Sequence, residues 1–573
     1  MFSPDRPAGP PGVTRSEVFA RRGMVATSQP LASAAALRVL QHGGSAADAA
    51  IAANAVLGVV EPTGCGIGGD LFAIVWDARS ASLAGLCASG SAPAAATLDV
   101  VRSACPGSFI PDDGPLSVTV PGCVDGWFTL HQRYGRLPMR ELLAPAIEHA
   151  RDGFPVSEII ADHWAAGAAR LGGQPGFSAV FLPGGRAPGK GDLFANPALA
   201  DTLERIARGG CDEFYRGTIA ERLDAFCRAT GCLLRASDLA AHGSEWVQPW
   251  STRYRDVEVW ELPPAGQGVV ALQMLRLLNG LNVRRMGHNS ADYLHTLVEI
   301  KKLAYADRAA YIGGSPDSLA LARAMLDDAY VAARRLELRA DQAALRVAPG
   351  SLAARPGGAS SAGLDQAAPA PPDRDPLSQG TDTVYLSVAD GERNMVSLIQ
   401  SNYRGFGSGL TPPELGFCLQ NRGCQFSLHA GHVNTLAPGR RPFHTIIPAF
   451  VTRAGRPWLS FGVMGGDMQP QGHVQILCNL LDFGMNLQQA GDAQRFHHTG
   501  SSEPTGFEMT DGGRLRLESG IGTCVRDELA ARGHRIDGGR GSFGGYQAVA
   551  WDAERDVLIG ASESRKDGCA IGW

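Results

Sequence analysis

Between Val347 and Gly380 the chain reads VAPGSLAARPGGASSAGLDQAAPAPPDRDPLSQG, with almost no large apolar side chain. Such a stretch cannot bury enough surface to offset chain entropy, so a mobile segment is expected there. Directly after it the pattern changes: Thr383, Tyr385 and Ser387 alternate with Val384, Leu386 and Val388. A turn at Asp390-Gly391-Glu392-Arg393-Asn394 separates this run from Met395–Ser401, which alternates in the same way. Together they are expected to form a β-hairpin whose first strand starts at Thr383. A plain interdomain linker needs no particular residue at its end, so an abrupt stop at a strand opening on threonine is a constraint of its own.

The rest of the chain allows a large core. At 573 residues, with 44% hydrophobic and 19% charged residues and a net charge of −5, it has the composition of an ordinary globular protein, which excludes a fibrous or wholly disordered one. Length alone allows one big domain or about four small ones. The 72 glycines and 36 prolines follow no Gly-X-Y period and point to turns and close backbone approaches, not to collagen. Lysine occurs only at Lys190, Lys301, Lys302 and Lys566, and the arginines form no basic run, so a slightly acidic chain like this is a poor nucleic-acid binder. Met1–Thr14 carries no apolar run and reads as neither a secretory signal nor an anchor. The most apolar stretch, Ser45–Val60, contains Asp48 and Asn54 and is too short for a bilayer of about 30 Å. A cytoplasmic protein with no membrane contact is expected. Its twelve cysteines are widely spaced without a C-x-x-C pair, which favours buried free thiols over disulfides or a zinc site.

From Gly23 to Val60, small and apolar residues recur at helical spacing and break at Gly43-Gly44, as two close-packed helices would. A glycine-rich turn, Gly64–Asp70, then leads into a strand over Leu71–Asp77. Gly64–Gly69 fits G-x-G-x-x-G formally, but the order is helix, loop, strand and no acidic residue follows about 20 positions on, so nucleotide binding is the weak reading. Leu137–Leu345 reads as mainly helical, with a strand pair near Tyr254–Leu262.

A threonine hydroxyl is a poor nucleophile unless a base takes its proton, and a newly exposed α-amino group with a pKa of about 7.7 to 8.0 can be that base on the same residue. Cleavage just before a threonine therefore makes both parts of a catalyst. Around this point the sequence resembles the γ-glutamyltransferases, or glutathione hydrolases, of the N-terminal nucleophile hydrolase class. Matching segments include Gly43-Gly44-Ser45-Ala46-Ala47-Asp48-Ala49, Glu61-Pro62 with Gly66–Asp70, Val120-Pro121-Gly122, Pro263-Pro264, Arg495-Phe496-His497-His498 and the ending Gly560-Ala561-Ser562. The resemblance runs from about Gly23 to Trp573 and implies an α/β (α+β) fold, a four-layer αββα sandwich, with a precursor that cuts itself between Asp382 and Thr383. It divides the chain into a large subunit, 1–382, and a small one, 383–573, intertwined as one domain and able in turn to pair as dimers. It makes Thr383 the nucleophile, with Thr381 the rival if the register slips by two, and places the family's second hydroxyl on Ser401. Its glycine pair, which supplies backbone N–H groups to a tetrahedral oxyanion, falls on Gly465 and Gly466. The implied reaction is acyl transfer from a small-molecule amide or peptide to water or an amine, with no cofactor.

Substrate recognition departs from the family pattern. The arginine that holds the glutamyl α-carboxylate in the best-studied members falls near Ser89, so that charge partner is missing. Their Asn after the second hydroxyl becomes Tyr403, the acidic or amide pair on the α-amino group becomes Arg422 and Gln425, and a Ser-Ser pair becomes His444-Thr445. A buried ammonium needs an anionic or acceptor lining, and Arg422 supplies the opposite sign. Arg422 either bridges strands or pairs with a substrate carboxylate, as a glutaryl, oxalyl or other dicarboxylic acyl group would require. The pattern is similar to a divergent bacterial glutathione hydrolase-like branch, whose alternatives include an acylase, a carbon–carbon hydrolase or a non-catalytic metabolite-binding relative. His497-His498 sit adjacent on one strand and point to opposite faces, so a core or turn role is expected and no metal is assigned.

Overall fold

The computed structural model describes residues 12–105, 107–352, 383–538, 541 and 543–573. The segment expected to be mobile lies outside the described residues from 353 onward, as do Thr381 and Asp382. Its head is held to the body: Arg334 donates to the Ala348 carbonyl at 3.1 Å, and the Gly350 N–H donates to Asp307 at 2.8 Å.

Two seven-stranded sheets carry the fold. One runs in the spatial order Cys569–Gly572, Met24–Thr27, Val384–Ala389, Met395–Ser401, Asp70–Asp77, Ser82–Ala88, Glu245–Val247. The other runs Val18–Ala20, Val557–Ser562, Gly545–Asp552, Arg456–Met464, Ala449–Arg453, Val257–Glu261, Trp250–Tyr254. The paired strands of both are antiparallel, and each sheet interleaves strands from before and after Thr383. Period-two alternation explains the layering. Val384, Leu386 and Val388 join a core shared with the helices Pro30–Gln41, Ala46–Val60, Cys123–Tyr134 and Met139–Asp152, whereas Tyr385, Ala389 and Ile399 join Phe72, Ile446 and Phe450 between the sheets. The other sheet buries its outer face against Gly268–Leu278, Ala291–Tyr311 and Met468–Leu481. The result is the expected four-layer αββα sandwich. Each large side chain in these layers contributes about 1.5 to 3 kcal/mol by leaving water.

Local chemistry accounts for the elements that position the site. The helix Ala46–Val60 starts in a capping box: Ser45 Oγ accepts the Asp48 N–H at 3.1 Å and Asp48 accepts the Ser45 N–H at 2.9 Å. The same carboxylate accepts the N–H groups of Arg136 and Leu137, tying in the chain before Met139–Asp152. In the glycine-rich turn, a Cβ on Gly68 would collide with the Cys418 carbonyl and one on Gly69 with the Ser401 carbonyl. Those glycines serve close packing against the end of the hairpin, and Gln400 reinforces it with two bonds to the Gly66 backbone, 3.0 and 2.8 Å.

The twelve cysteines are all free thiols, and eight are buried, but Cys524 is exposed and Cys87, Cys211 and Cys569 are half-buried. The expectation of burial fails for Cys524 because it stands on Thr523–Ala531, a short helix that buries only Leu529. Among the described residues no helix is long and apolar enough to cross a membrane.

Candidate active site

The hairpin register pairs Val384 with Gln400, so Thr383 falls level with Ser401, and Ser401 in turn pairs with Asp70 on the next strand. Thr383 and Ser401 are buried, with their hydroxyl oxygens 2.9 Å apart. The Tyr403 N–H donates to Ser401 Oγ at 2.8 Å. To do so Tyr403 adopts φ +81°, a left-handed conformation that costs a bulky side chain about 1 to 2 kcal/mol and turns its ring toward Arg422.

Arg422 is fully buried, and its guanidinium carbon lies 4.2 Å from the centre of the Tyr403 ring. Its Nη1 donates to Thr445 Oγ1 at 2.8 Å. Nε and Nη2, the two donors along the other edge of the guanidinium, have no hydrogen-bond partner among the described residues. No carboxylate there forms an ion pair with it either; the negative charge of Asp70 is engaged by His444. Burial pushes the Arg422 guanidinium down to about 10, which still leaves it charged at neutral pH. Tyr403 Oη accepts from Gln425 Nε2 at 2.5 Å, so Gln425 braces the ring that Arg422 faces.

Asp70 organises the neighbouring loops. One of its oxygens accepts from the N–H groups of Gly90 and Gly122 and from Gln420 Nε2, at 3.0, 3.2 and 2.9 Å. The other lies 2.9 Å from His444 Nε2. Burial first, and then the positive charge of Arg422, push the His444 imidazole down to about 4. It is therefore neutral at pH 7 and donates its Nε2–H to the acceptor-only carboxylate. Ser89 is buried beside the Gly90 turn, with its hydroxyl 3.5 Å from Cys87 Sγ.

The strand Arg456–Met464 faces the Thr383 strand from the other sheet. Ser387 Oγ donates to Ser460 Oγ at 2.7 Å, and a Cβ on Gly462 would strike the Tyr385 ring. Extended two residues further, this progression would set Thr383 opposite Met464, which precedes the glycine pair. Gly465 has φ +128° and Gly466 φ +57°. Their carbonyls accept from the Met468 N–H at 2.9 Å and from Gln267 Nε2 at 3.0 Å. Their own N–H groups donate to no other group among the described residues. Behind the turn Asp467 pairs with Arg308 at 2.6 Å, and Tyr305 donates to the Asp467 carbonyl.

His497 and His498 are both buried on the strand Phe496–Thr499, and His498 bonds Lys301 at 3.1 Å and the Gly512 carbonyl at 2.8 Å. Another cluster, His295, Glu299 and His534, brings three ligand-type atoms within 4.8 Å. Each is engaged internally: the two imidazoles bond each other at 2.8 Å and Glu299 pairs with Lys302 at 2.8 Å. Sequence reasoning overlooked Asp70 as an organising group and did not single out Gln267 at all. Asp70 ends the glycine-rich motif, a usable signal; Gln267 carries none.

An αββα sandwich with paired hydroxyls at the head of a central strand and a glycine turn opposite is the architecture of the N-terminal nucleophile hydrolases. The sequence profile of the gamma-glutamyltranspeptidase family matches residues 32–573, and the chain belongs to that family. It is an enzyme of the hydrolase and acyltransferase type. It is 34% identical over 560 residues to the glutathione hydrolase-like YwrD proenzyme of Bacillus subtilis, covering 97% of this chain and 99% of that one. It is also 34% identical over 562 residues to the oxamate amidohydrolase proenzyme of Klebsiella pneumoniae, covering 96% and 98%. Among solved structures, the cephalosporin acylase of Bacillus halodurans superposes with a TM-score of 0.87 at 39% identity, covering 100% of this chain and 99% of that one.

Proposed function

We propose that the chain is the precursor of an N-terminal threonine amidohydrolase or acyltransferase that cleaves a γ-glutamyl or related dicarboxylic acyl amide through a threonyl ester. The observation that carries this reading is the 2.9 Å contact between the buried hydroxyls of Thr383 and Ser401. Cleavage of the Asp382–Thr383 bond gives subunits 1–382 and 383–573, held together by the interleaved sheets, and frees the Thr383 amine. That amine takes the hydroxyl proton as Oγ1 attacks the donor carbonyl, while Ser401 fixes the rotamer of the nucleophile. Negative charge gathers on the carbonyl oxygen and is met by the N–H groups of Gly465 and Gly466, a contribution of about 3 to 4 kcal/mol per donor in such sites. Collapse expels the amine leaving group with a proton returned from the Thr383 ammonium, and water or an acceptor amine resolves the ester.

The donor's far end meets the side formed by Tyr403, Arg422, Gln425, His444 and Thr445, and Ser89 precedes the Gly90 turn that Asp70 ties to His444. A buried guanidinium with an open edge favours a carboxylate and repels an ammonium, so glutaryl-type donors are preferred over γ-glutamyl ones. The relative named oxamate amidohydrolase fits a carboxylate-bearing acyl group, and the one named cephalosporin acylase fits an acyl amide other than γ-glutamyl.

The test is Thr383→Ala. The native protein is expected to resolve into two fragments on a denaturing gel, and the variant to remain one chain of 60.2 kDa without activity. Cleavage of the variant at the same bond would show that another nucleophile is at work.

A further inference from the structure

Gln267 lies in the turn between Val257–Glu261 and Gly268–Leu278 and is fully buried. An amide side chain has two N–H donors and one carbonyl oxygen. Here all are used. Nε2 donates to the Thr445 carbonyl at 2.8 Å and to the Gly466 carbonyl at 3.0 Å, and Oε1 accepts from Arg308 Nη1 at 2.7 Å. Its main-chain N–H adds a bond to the His444 carbonyl at 3.0 Å. Thr445 is the residue whose hydroxyl fixes Arg422, and Gly466 is the second glycine of the turn. Gln469 adds a second tie between these segments, its Oε1 accepting from the Ile447 N–H at 2.9 Å and its own N–H donating to the Gly466 carbonyl at 3.2 Å, but among the described residues only the Gln267 side chain bonds Thr445 and Gly466 themselves. Arg308, which orients the amide, also holds Asp467, the residue after that glycine.

We propose that Gln267 is a positioning residue that sets the distance between the open edge of Arg422 and the N–H groups of Gly465 and Gly466, and so sets the length of acyl donor the enzyme accepts. A donor anchored by its carboxylate on Arg422 brings its amide carbonyl to the glycine turn only if its chain spans that fixed gap. Misplacement of reacting atoms by about 1 Å costs on the order of 100-fold in rate. One methylene lengthens an extended chain by about that much, so a rigid gap gives a sharp optimum and a loose one a broad optimum. This inference rests on the donor class proposed above.

The test uses the native, processed enzyme and the variants Gln267→Glu and Gln267→Met with the mono-p-nitroanilides of oxalic, malonic, succinic, glutaric and adipic acids. Gln267→Glu keeps the partner for Arg308 but places a carboxylate against two carbonyls, and Gln267→Met keeps the length without any bond. The native enzyme is expected to favour one length over its neighbours by about 30-fold or more. Both variants are expected to lose about 10- to 100-fold in kcat on that donor and to accept neighbouring lengths within about fivefold. In the Arg422→Met background the substitutions at Gln267 are expected to leave length preference unchanged. A purely structural role for Gln267 would lower the melting temperature and leave the length profile intact. A sharp native-like optimum in both variants therefore overturns the proposal, and so does failure of both to accumulate as folded, processed enzyme. If the native enzyme turns over none of the series, the donor class falls and this inference with it; retained activity of Thr383→Ala would instead locate the error in the nucleophile.

Discussion

At the residue scale, the groups around Thr383 differ in how far the chain sequence exposes them. Alternation along Thr383–Val388 and Met395–Ser401 shows the hairpin in the sequence, while the pairing of Thr383 with Ser401 comes from the family resemblance and agrees with the observed register. The open edge of Arg422 has no such signal, because whether a guanidinium finds a carboxylate depends on elements far away in sequence. Arg422→Met is expected to abolish the preference for a glutaryl over a butyryl anilide, a loss of about 100-fold or more in kcat/KM for the carboxylate donor. Arg422→Lys should restore little of it, since an ammonium lacks the two-pronged edge. Steady-state kinetics on the two anilides checks both. In the proposed mechanism the Thr383 amine acts as base only when unprotonated, so kcat/KM is expected to rise with pH through about 7.7 to 8.0 and then level.

At the scale of elements, the glycine turn after Arg456–Met464 shows how one backbone conformation governs a site. Gly465 has φ +128°, and a Cβ there would sit 3.2 Å from Gly544 Cα. Gly465→Ala is therefore expected to strain the turn and cost about 100- to 1000-fold in kcat, with KM for the donor little changed. A loss in KM alone would show that the turn contributes to binding and not to the oxyanion. The helix Ala46–Val60 offers a stability counterpart. Its Asp48 carboxylate accepts N–H groups from three residues, so Asp48→Ala is expected to cost about 2 to 4 kcal/mol, read by denaturant unfolding. The capping box behind this has a local signal, Ser45 and Asp48 three apart, that sequence reasoning did not single out, whereas the link to Arg136 and Leu137 has none, because it joins elements that the sequence does not place side by side.

Over the whole molecule, burial sets the response to acid. His432 and His444 are pushed down to about 4 and His534 to about 3, chiefly by burial, from an ordinary 6.5. The unfolded chain binds these protons more readily than the folded one between those values. Stability is thus fully present above about pH 6.5 and is lost as pH falls toward 4. The melting temperature is expected to drop steadily across that window; a flat profile from pH 7 to 4 would contradict the neutral state of these histidines.

The sequence by itself determined the hairpin, because alternation and turn residues are local properties that the backbone enforces wherever they occur, and its matching motifs carried the family and, through that resemblance, the layers. Only the tertiary structure decided the electrostatics and the spacing of the site. The lone charge of Arg422, the neutral His444 beside Asp70 and the bridging amide of Gln267 depend on burial and on partners far apart along the chain, and desolvation is a property of the folded whole.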